Sequence, residues 1–300
     1  MCANQSFENY LKQATRDSES ALDEWWPIND RIPESLSEAM QYSLQAGGKR
    51  IRPILMFFAA EACGVSRKKT YPAACAVEWI HTYSLIHDDL PAMDNDDFRR
   101  GKPTNHKMYG DAMAILAGDG LLTHAFQLVT ELIRVDVNPL TILNIISELS
   151  VAAGPMGMVG GQVRDMAGNR NTTTLSMLEK THEHKTGDLI VFSLRAGAMV
   201  GNASHEQLDA LTRFGKDIGL AFQILDDVLD EIGDEIKLGK PLKSDEKSEK
   251  PTYPFYLGLD VAQEKVRVLT ERAKEAIRHA GFTNIEPLCQ LADFLLNRDH

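Results

Sequence analysis

Cysteine and basic charge are both scarce in this chain of 300 residues. The four cysteines, Cys2, Cys63, Cys75 and Cys289, form no C-x-x-C pair, and their spacing fits neither a disulfide framework nor a zinc site. Lysine and arginine total 32 against 43 aspartates and glutamates, a net charge of −11 that speaks against nucleic acid as the main partner. We therefore expect a reducing compartment and no nucleic-acid partner.

Long apolar runs and a secretory leader are not evident either. The longest apolar run near the front, residues 54–60, is far shorter than the roughly 20 residues that span a membrane. The first residues contain no apolar signal region. The sequence predicts a soluble, cytoplasmic protein without stable membrane insertion.

Strand alternation, hairpin signals, tandem repeats and linkers are also missing from the pattern, whereas apolar residues recur with a helical period. They do so between residues 36 and 44, and again in alternating steps of four and three from 218 to 232. The hydrophobic fraction of 43% and the charged fraction of 25% are typical of globular proteins. We predict an all-α fold, a single large helical bundle with one domain over residues 1–300.

The first acidic cluster lies in residues 87–103, HDDLPAMDNDDFRRGKP. It contains five aspartates within ten residues: Asp88, Asp89, Asp94, Asp96 and Asp97. Carboxylates this close repel each other unless a cation joins them, and oxygen ligands alone favour Mg²⁺ or Mn²⁺ over zinc. The alternative is a solvated acidic turn paired with the arginines that follow it.

A second acidic cluster lies on the helix predicted around residues 218–232. Asp226 and Asp230 are four residues apart and Asp227 and Asp230 are three apart, so they share a helix face, with Gln223 one turn earlier. An acidic surface stripe is the alternative interpretation. Two such clusters could instead hold a metal-bridged diphosphate, which predicts cationic side chains nearby.

The segment GGKRIRP, residues 47–53, supplies such cations just before a predicted helix. Lys49, Arg50 and Arg52 could join free backbone N–H groups in binding an anion, although an ordinary basic loop has the same composition. His81 precedes Asp88 by seven residues, which places both on one helix face. A structural histidine is the alternative for His81.

Together these motifs resemble the trans-isoprenyl diphosphate synthases, and within them the bacterial farnesyl diphosphate synthases. The likeness covers nearly the whole chain and depends on the order and spacing of five motifs. They are GGKRIRP at 47–53, the aspartates with RR at 88–100, GGQVRDM at 160–166, KTG at 185–187, and QILDDVLD at 223–230 with GK at 239–240. The resemblance implies an isoprenoid synthase fold with a central cavity, a homodimer, Mg²⁺ or Mn²⁺, and small-molecule diphosphate substrates.

The resemblance also implies a role for each matching residue. The metal ligands would be Asp88, Asp94 and Asp226, supported by Asp89, Asp227 and Asp230. The allylic diphosphate would contact Arg99, Lys185 and Lys240, with Thr186 and Gln223 lining the region of the carbocation, under a flap at 240–250. Isopentenyl diphosphate would contact Lys49, Arg52, His81 and Arg100.

The implied reaction joins isopentenyl diphosphate to dimethylallyl or geranyl diphosphate by ionisation, condensation and elimination. In this family an aromatic residue five positions before the first aspartate tends to stop chain growth; here it is Tyr83, followed by Ser84. Five helical residues rise about 7.5 Å, so Tyr83 lies deeper than the metals. Because it is also about 140° around the helix from Asp88, a packed core tyrosine is the alternative. We expect a C15 product, farnesyl diphosphate, with a C20 geranylgeranyl product as the alternative.

Other classes explain less of the sequence. Glu78 with His81, and Glu179 with His182, have the Glu-x-x-His spacing of ferritin-like di-iron bundles. That hypothesis leaves both aspartate clusters and GGKRIRP unexplained. A terpene cyclase would lack GGKRIRP, and a non-catalytic partner subunit would not need intact acidic clusters. The polar segment 169–174 has no predicted role.

Overall fold

The computed structural model describes residues 2–27, 31–232 and 250–296, with side chains from Phe7 onward. The described residues are overwhelmingly helical, which confirms the predicted all-α class. They fall into two compact units. The first unit comprises the described residues of Met1–Phe57 and Lys68–Ile146, and the second those of Phe58–Arg67 and Ser147–His300. That residues 1–300 act as one domain stays a prediction.

The helices and strands up to residue 153 are, in chain order, α1 Cys2–Glu24, α2 Glu34–Leu44, α3 Ile51–Ala62, the 3₁₀ turn Arg67–Thr70, α4 Tyr71–Asp88, β1 Phe98–Arg99, β2 Lys102–Pro103, α5 Asn105–Tyr109, α6 Asp111–Thr130, the 3₁₀ turn Glu131–Val135 and α7 Pro139–Ala153. The later elements are α8 Met158–Ala167, α9 Leu175–His182, the π-helical turn Glu183–Gly187, α10 Asp188–Val200, α11 His205–Ile232, α12 Tyr253–Leu257, α13 Leu259–Arg278 and α14 Glu286–Leu296.

In the first unit, α4 is buried on almost every side and packs against α6. Gly118 of α6 allows the close approach, because a methyl group there would lie 2.1 Å from Nε2 of His87. The ring of Trp79, in the middle of α4, is fully buried. This packing fixes the C-terminal end of α4, where the first aspartates lie.

In the second unit, α11 carries the predicted apolar stripe and packs against α13. Ile224 and Val228 are buried with Val266 and Leu269, and each such burial stabilises the fold by roughly 1.5–3 kcal/mol. Ser204 begins the helix as a capping box, since Gln207 N–H donates to its Oγ at 3.2 Å. The core therefore fixes the face of α11 that carries the second aspartate cluster.

The expectation of no hairpin was wrong at one place. β1 pairs with β2 antiparallel, with Arg99 opposite Lys102. The two residues between the strands, Arg100 and Gly101, have φ angles of 54° and 74°, as in the tight two-residue turn that suits twisted strands. The usual Asn-Gly signature is missing, so the sequence pattern did not indicate the hairpin. The turn positions two successive arginines, Arg99 and Arg100.

Two helical stretches, Asp111–Val135 and Pro139–Ala167, are long and apolar enough to cross a membrane, with mean hydropathies of 1.3 and 1.4. Both stretches lie beyond residues 54–60, the longest apolar run near the front of the sequence. Length and composition are the only criteria they meet, and core helices of soluble proteins meet the same criteria. The absence of stable membrane insertion stays a prediction.

Candidate active site

The GGKRIRP loop in the first unit lies against Arg100 of the hairpin. Arg100 Nη1 donates to the carbonyl oxygen of Gly47. A methyl group on Gly48 would lie 2.7 Å from Cζ of Arg100, and Gly48 has a φ of 128°. Glycine is therefore required here for the guanidinium to lie against the main chain.

Arg50 anchors this loop to α4 through a buried ion pair. Its Nη1 lies 2.7 Å from Oε1 of Glu78, and both side chains are almost fully buried. Its Nη2 donates to the carbonyl oxygen of Leu44 at 2.7 Å. Glu78 thus neutralises the charge of Arg50.

Arg52, His81 and Arg100, three of the four residues predicted to bind isopentenyl diphosphate, lie within one another's electric field. Burial lowers the pKa of Arg52 to about 10, with Glu78 opposing and Arg100 adding to the shift. Burial and then the charges of Arg52 and Arg100 hold the pKa of His81 well below its ordinary value. Lys49, the fourth, is exposed on the same loop.

One nitrogen of this cationic group has no hydrogen-bond partner among the described residues. Arg52 Nε is buried, and in the described part of the chain no acceptor reaches it. Burying a donor without an acceptor costs free energy, and crowded cations repel each other. An anion would relieve both penalties, so the group has the chemistry of a phosphate site.

The first aspartate cluster divides into members with different surroundings. α4 ends at Asp88, and the N–H of Asp94 donates to the Asp88 carbonyl oxygen at 2.8 Å, which folds the loop back on the helix end. Asp89 is buried, and its Oδ1 accepts from Arg99 Nε at 2.7 Å. Burial raises the pKa of Asp89 although Arg99 opposes the shift. Asp97 pairs with Lys107 at 2.7 Å.

Tyr83 is a buried residue of α4 whose hydroxyl lies in the field of Asp88. Its ring is edge-on to His87, with centroids 5.7 Å apart. Burial, followed by the charge of Asp88, raises the pKa of Tyr83 to about 12. Ser84 Oγ donates to the carbonyl oxygen of His81 at 2.9 Å, a local helix bond. Tyr83 is thus packed in the core and still close enough to the metal ligand candidate to be affected by it.

The second unit contains a cavity of about 180 Å³ at the second aspartate cluster. Its lining residues are Arg164, Asp165, Gly168, Thr173, Leu178, Thr181, His182, Lys185, Gln223, Asp226, Asp227, Lys250 and Pro251. Four predicted site residues, Lys185, Gln223, Asp226 and Asp227, are therefore together. Thr186 follows Lys185 in the π-helical turn, and Asp230 is buried one turn further along α11. Lys240 lies outside the described residues, as does the predicted flap except for Lys250.

Lys185 is held by Asp165, whose role the residue patterns did not reveal. Lys185 Nζ lies 2.6 Å from Asp165 Oδ2. Burial alone would raise the pKa of Asp165. The positive charge of Lys185 and its hydrogen bond to Asp165 outweigh the effect of burial, so the pKa is lowered. A methyl group on Gly161 would lie 2.2 Å from the main-chain nitrogen of Lys185, so Gly161 permits α8 to approach the π-helical turn. Such π-helical turns are frequent at functional sites.

The aspartates of α11 have distinct neighbours. Gln223 Nε2 donates to Asp226 Oδ2 at 3.2 Å. Asp227 Oδ2 accepts the N–H of Tyr253 at 2.9 Å and lies 3.5 Å from His182 Nε2. Asp226 therefore contributes to the cavity edge, whereas Asp227 joins α11 to the start of α12.

The donor set suits a hard divalent cation that brings other ligands with it. Among the described residues, no three His, Cys, Asp or Glu side chains converge closely enough to hold a metal ion by themselves. Mg²⁺ takes one or two carboxylates and completes its shell with water and substrate phosphates. Asp88 and Asp94 of the first unit, and separately Asp226 of the second, offer carboxylates of the kind that such a cation takes.

Neither Glu-x-x-His pair is arranged to bind iron. Glu78 pairs with Arg50, and His81 lies among arginines. Glu179 Oε1 accepts the hydroxyl of Tyr253 at 2.5 Å. Both glutamates are engaged elsewhere, which removes the support for the ferritin-like hypothesis.

Comparisons with known proteins agree over almost the full length. The family model described as polyprenyl synthetase matches residues 33–283. Farnesyl diphosphate synthase of Geobacillus stearothermophilus is 49% identical over 300 residues, 99% of this chain and 100% of the relative. That of Bacillus subtilis (strain 168) is 49% identical over 271 residues, 90% of each chain. The apo crystal structure of an FPP/GFPP synthase from Zymomonas mobilis matches with a TM-score of 0.85 at 35% identity, covering 98% of this chain and 99% of that one.

Proposed function

Because this chain belongs to the polyprenyl synthetase family, we propose that it is a transferase that condenses isopentenyl diphosphate with dimethylallyl and geranyl diphosphates, giving farnesyl diphosphate. The observation that carries the proposal is that each unit contains its own group of cationic side chains. The first unit holds the cationic group around Arg52, and the second holds a cavity with Lys185 and Lys250. A reaction that joins two diphosphates requires two such groups.

The cationic group of the first unit would bind isopentenyl diphosphate. Arg52 and Arg100 would donate to its phosphate oxygens, and the buried setting strengthens such charge-assisted bonds. His81 is neutral at neutral pH because its pKa is lowered. It would therefore act as a hydrogen-bonding group. Lys49 would add a flexible positive charge at the exposed edge.

The cavity of the second unit would bind the allylic diphosphate with Lys185, Lys250 and, by family resemblance, Lys240 and Arg99. These cations stabilise the charge that develops on the leaving group as the allylic C–O bond breaks and its electron pair passes to diphosphate. The double bond of isopentenyl diphosphate then forms the new C–C bond. Loss of a proton, with released diphosphate as the base, restores a double bond. Gln223 and Thr186 would line the region of the cation.

Asp88, Asp94 and Asp226 would hold Mg²⁺, or Mn²⁺ in its place. When bound, the metal supplies positive charge that offsets the charge of the departing diphosphate. Asp227 and Asp230 would support Asp226 from the same helix. Asp89 already accepts from Arg99, so we propose that it contributes chiefly by holding that guanidinium.

The proposed function is tested by supplying isopentenyl and dimethylallyl diphosphates with Mg²⁺, dephosphorylating the products and sizing the alcohols by chromatography. A C15 alcohol that disappears in the presence of EDTA is expected. A C20 alcohol would retain the mechanism and overturn the assigned product. Absence of condensation with both dimethylallyl and geranyl diphosphates would overturn the function itself.

Replacing Tyr83 with alanine is expected to move the main product from C15 to C20 or longer. The variant removes the buried aromatic ring near Asp88 that is proposed to stop chain growth. Tyr71→Ala is the matched control, since Tyr71 is a buried tyrosine at the opposite end of the same helix. Both changes leave a cavity that costs about 3–5 kcal/mol. Product sizing checks the prediction. An unchanged C15 product from the Tyr83 variant would make Tyr83 a core residue only.

We also propose that the chain forms a soluble, cytoplasmic homodimer. In the first unit, Ile115 and Leu116 of α6 and Leu140 and Leu143 of α7 have exposed fractions between 44% and 71%. Burying such side chains against a second copy would be favourable, and contiguous apolar surface commonly marks interfaces. Light scattering without detergent should give a mass of about twice 33.4 kDa. A monomer that stays in solution would contradict the dimer.

A further inference from the structure

The polar segment 169–174 is folded by its own side chains into a turn between α8 and α9. Asn169 Oδ1 accepts the N–H of Thr172 at 3.1 Å, and Thr173 Oγ1 accepts the N–H of Asn169 at 3.1 Å. Thr174 caps α9 with its hydroxyl. These local bonds define the shape of the segment, so it can serve as a fixed surface for another part of the chain.

That turn holds residues 250–256 at both of their ends. Arg170 Nε donates to the main-chain oxygen of Lys250 at 3.1 Å. Its guanidinium carbon lies 5.0 Å from the ring centroid of Phe255, a cation–π contact. The hydroxyl of Tyr256 donates to the carbonyl oxygen of Thr173. Arg170 thus contacts Lys250, the first residue of the segment, and also Phe255, five residues later.

The contact with Lys250 matters because this residue lines the cavity. Lys250 Nζ lies 3.9 Å from Asp165 Oδ2, the oxygen that Lys185 approaches to 2.6 Å. Lys185 belongs to the π-helical turn that packs on α8, so helix packing places it. Lys250 precedes α12, and a lysine side chain is long and flexible. The position of its ammonium group therefore depends on the main chain that Arg170 holds.

We propose that Arg170 is a positioning residue for the allylic diphosphate. By binding the main chain of Lys250 and the ring of Phe255, it directs the Lys250 ammonium into the cavity beside Lys185. This inference rests on the proposed function, because it takes the cavity as the site of a diphosphate. It assigns a task to the polar segment 169–174, and it restricts that task to one of the two substrates.

The test is a double-mutant cycle of wild type, Arg170→Met, Lys250→Met and the double variant. Methionine keeps an apolar side chain over Phe255 and removes the donor. Two quantities are measured: the Kd for inorganic diphosphate with Mg²⁺ by calorimetry, and the KM values for geranyl and isopentenyl diphosphates. Arg170→Met should weaken diphosphate binding and raise the KM for geranyl diphosphate by about five- to ten-fold. It should leave the KM for isopentenyl diphosphate unchanged, and it should have no further effect when Lys250 is already methionine.

Arg272→Met is the matched control. Arg272 lies in the same unit, pairs with Asp217 at 2.5 Å and does not line the cavity, so its loss should alter neither constant. Additive effects of the two substitutions, equal rises in both KM values, or no effect of Arg170→Met would overturn the inference. So would failure of the wild type to bind millimolar diphosphate. A wild type that binds diphosphate but does not condense the substrates would overturn the proposed function, while the calorimetric cycle would still decide the role of Arg170.

Discussion

Asp88→Ala and Asp226→Ala are each expected to lower kcat by roughly 10²–10³-fold or more, because each removes a carboxylate proposed to hold the cation that offsets charge on the leaving group. Asp88 ends α4, and Asp226 edges the cavity beside Gln223. Neither residue lies in the fully buried core, so both variants should fold. Steady-state turnover with dimethylallyl diphosphate measures the effect.

Two further aspartates provide matched controls for this prediction. Asp97 follows Asp88 in the same cluster but pairs with Lys107, and Asp209 is an exposed residue near the start of α11. Alanine at either position should leave kcat within about two-fold, as is usual for surface substitutions. EDTA should abolish wild-type activity, and Mg²⁺ should restore it. Activity above a tenth of wild type in either test variant would remove that aspartate from the proposed metal site.

Gly161→Ala should be strongly destabilising, because the added methyl group would overlap the main chain of the π-helical turn. The added carbon would lie 2.2 Å from the main-chain nitrogen of Lys185, and a main chain packed between helices cannot move aside cheaply. Such overpacking costs about 1–3 kcal/mol. The shift would also displace Lys185 from Asp165, and misplacement by about 1 Å can lower turnover by about 10²-fold. Thermal unfolding and kcat measure the two effects separately.

Gly187→Ala separates steric overlap from the general effect of replacing glycine in a helix. A methyl group at Gly187 would lie 3.6 Å from its nearest neighbour, an ordinary contact. Its unfolding temperature should be unchanged or higher, since alanine favours a helix over glycine by up to about 1 kcal/mol. If Gly161→Ala melts no lower than Gly187→Ala, α8 and the π-helical turn are not packed as tightly as described.

The helices could be predicted because their signals are local. Apolar spacing is read over one or two turns, and this sufficed for α2 and α11. The hairpin was missed because Arg-Gly can adopt the required turn without being typical of it. The aspartates of the first cluster were assigned to a metal with pairing to arginine as the alternative, and the structure shows that Asp89 does pair with Arg99.

The sequence by itself determined the helical architecture, the two acidic clusters, the basic loop and, through their order, the family. Only the tertiary structure decided which charged groups meet. It paired Arg50 with Glu78, and it buried Arg52 Nε where no acceptor among the described residues reaches it. It joined Asp165 to Lys185 across 20 residues and Arg170 to Lys250 across 80. Such pairs depend on how closely neighbouring helices approach each other, which can depend on a single glycine that lacks a side chain. No periodicity along the chain encodes that distance.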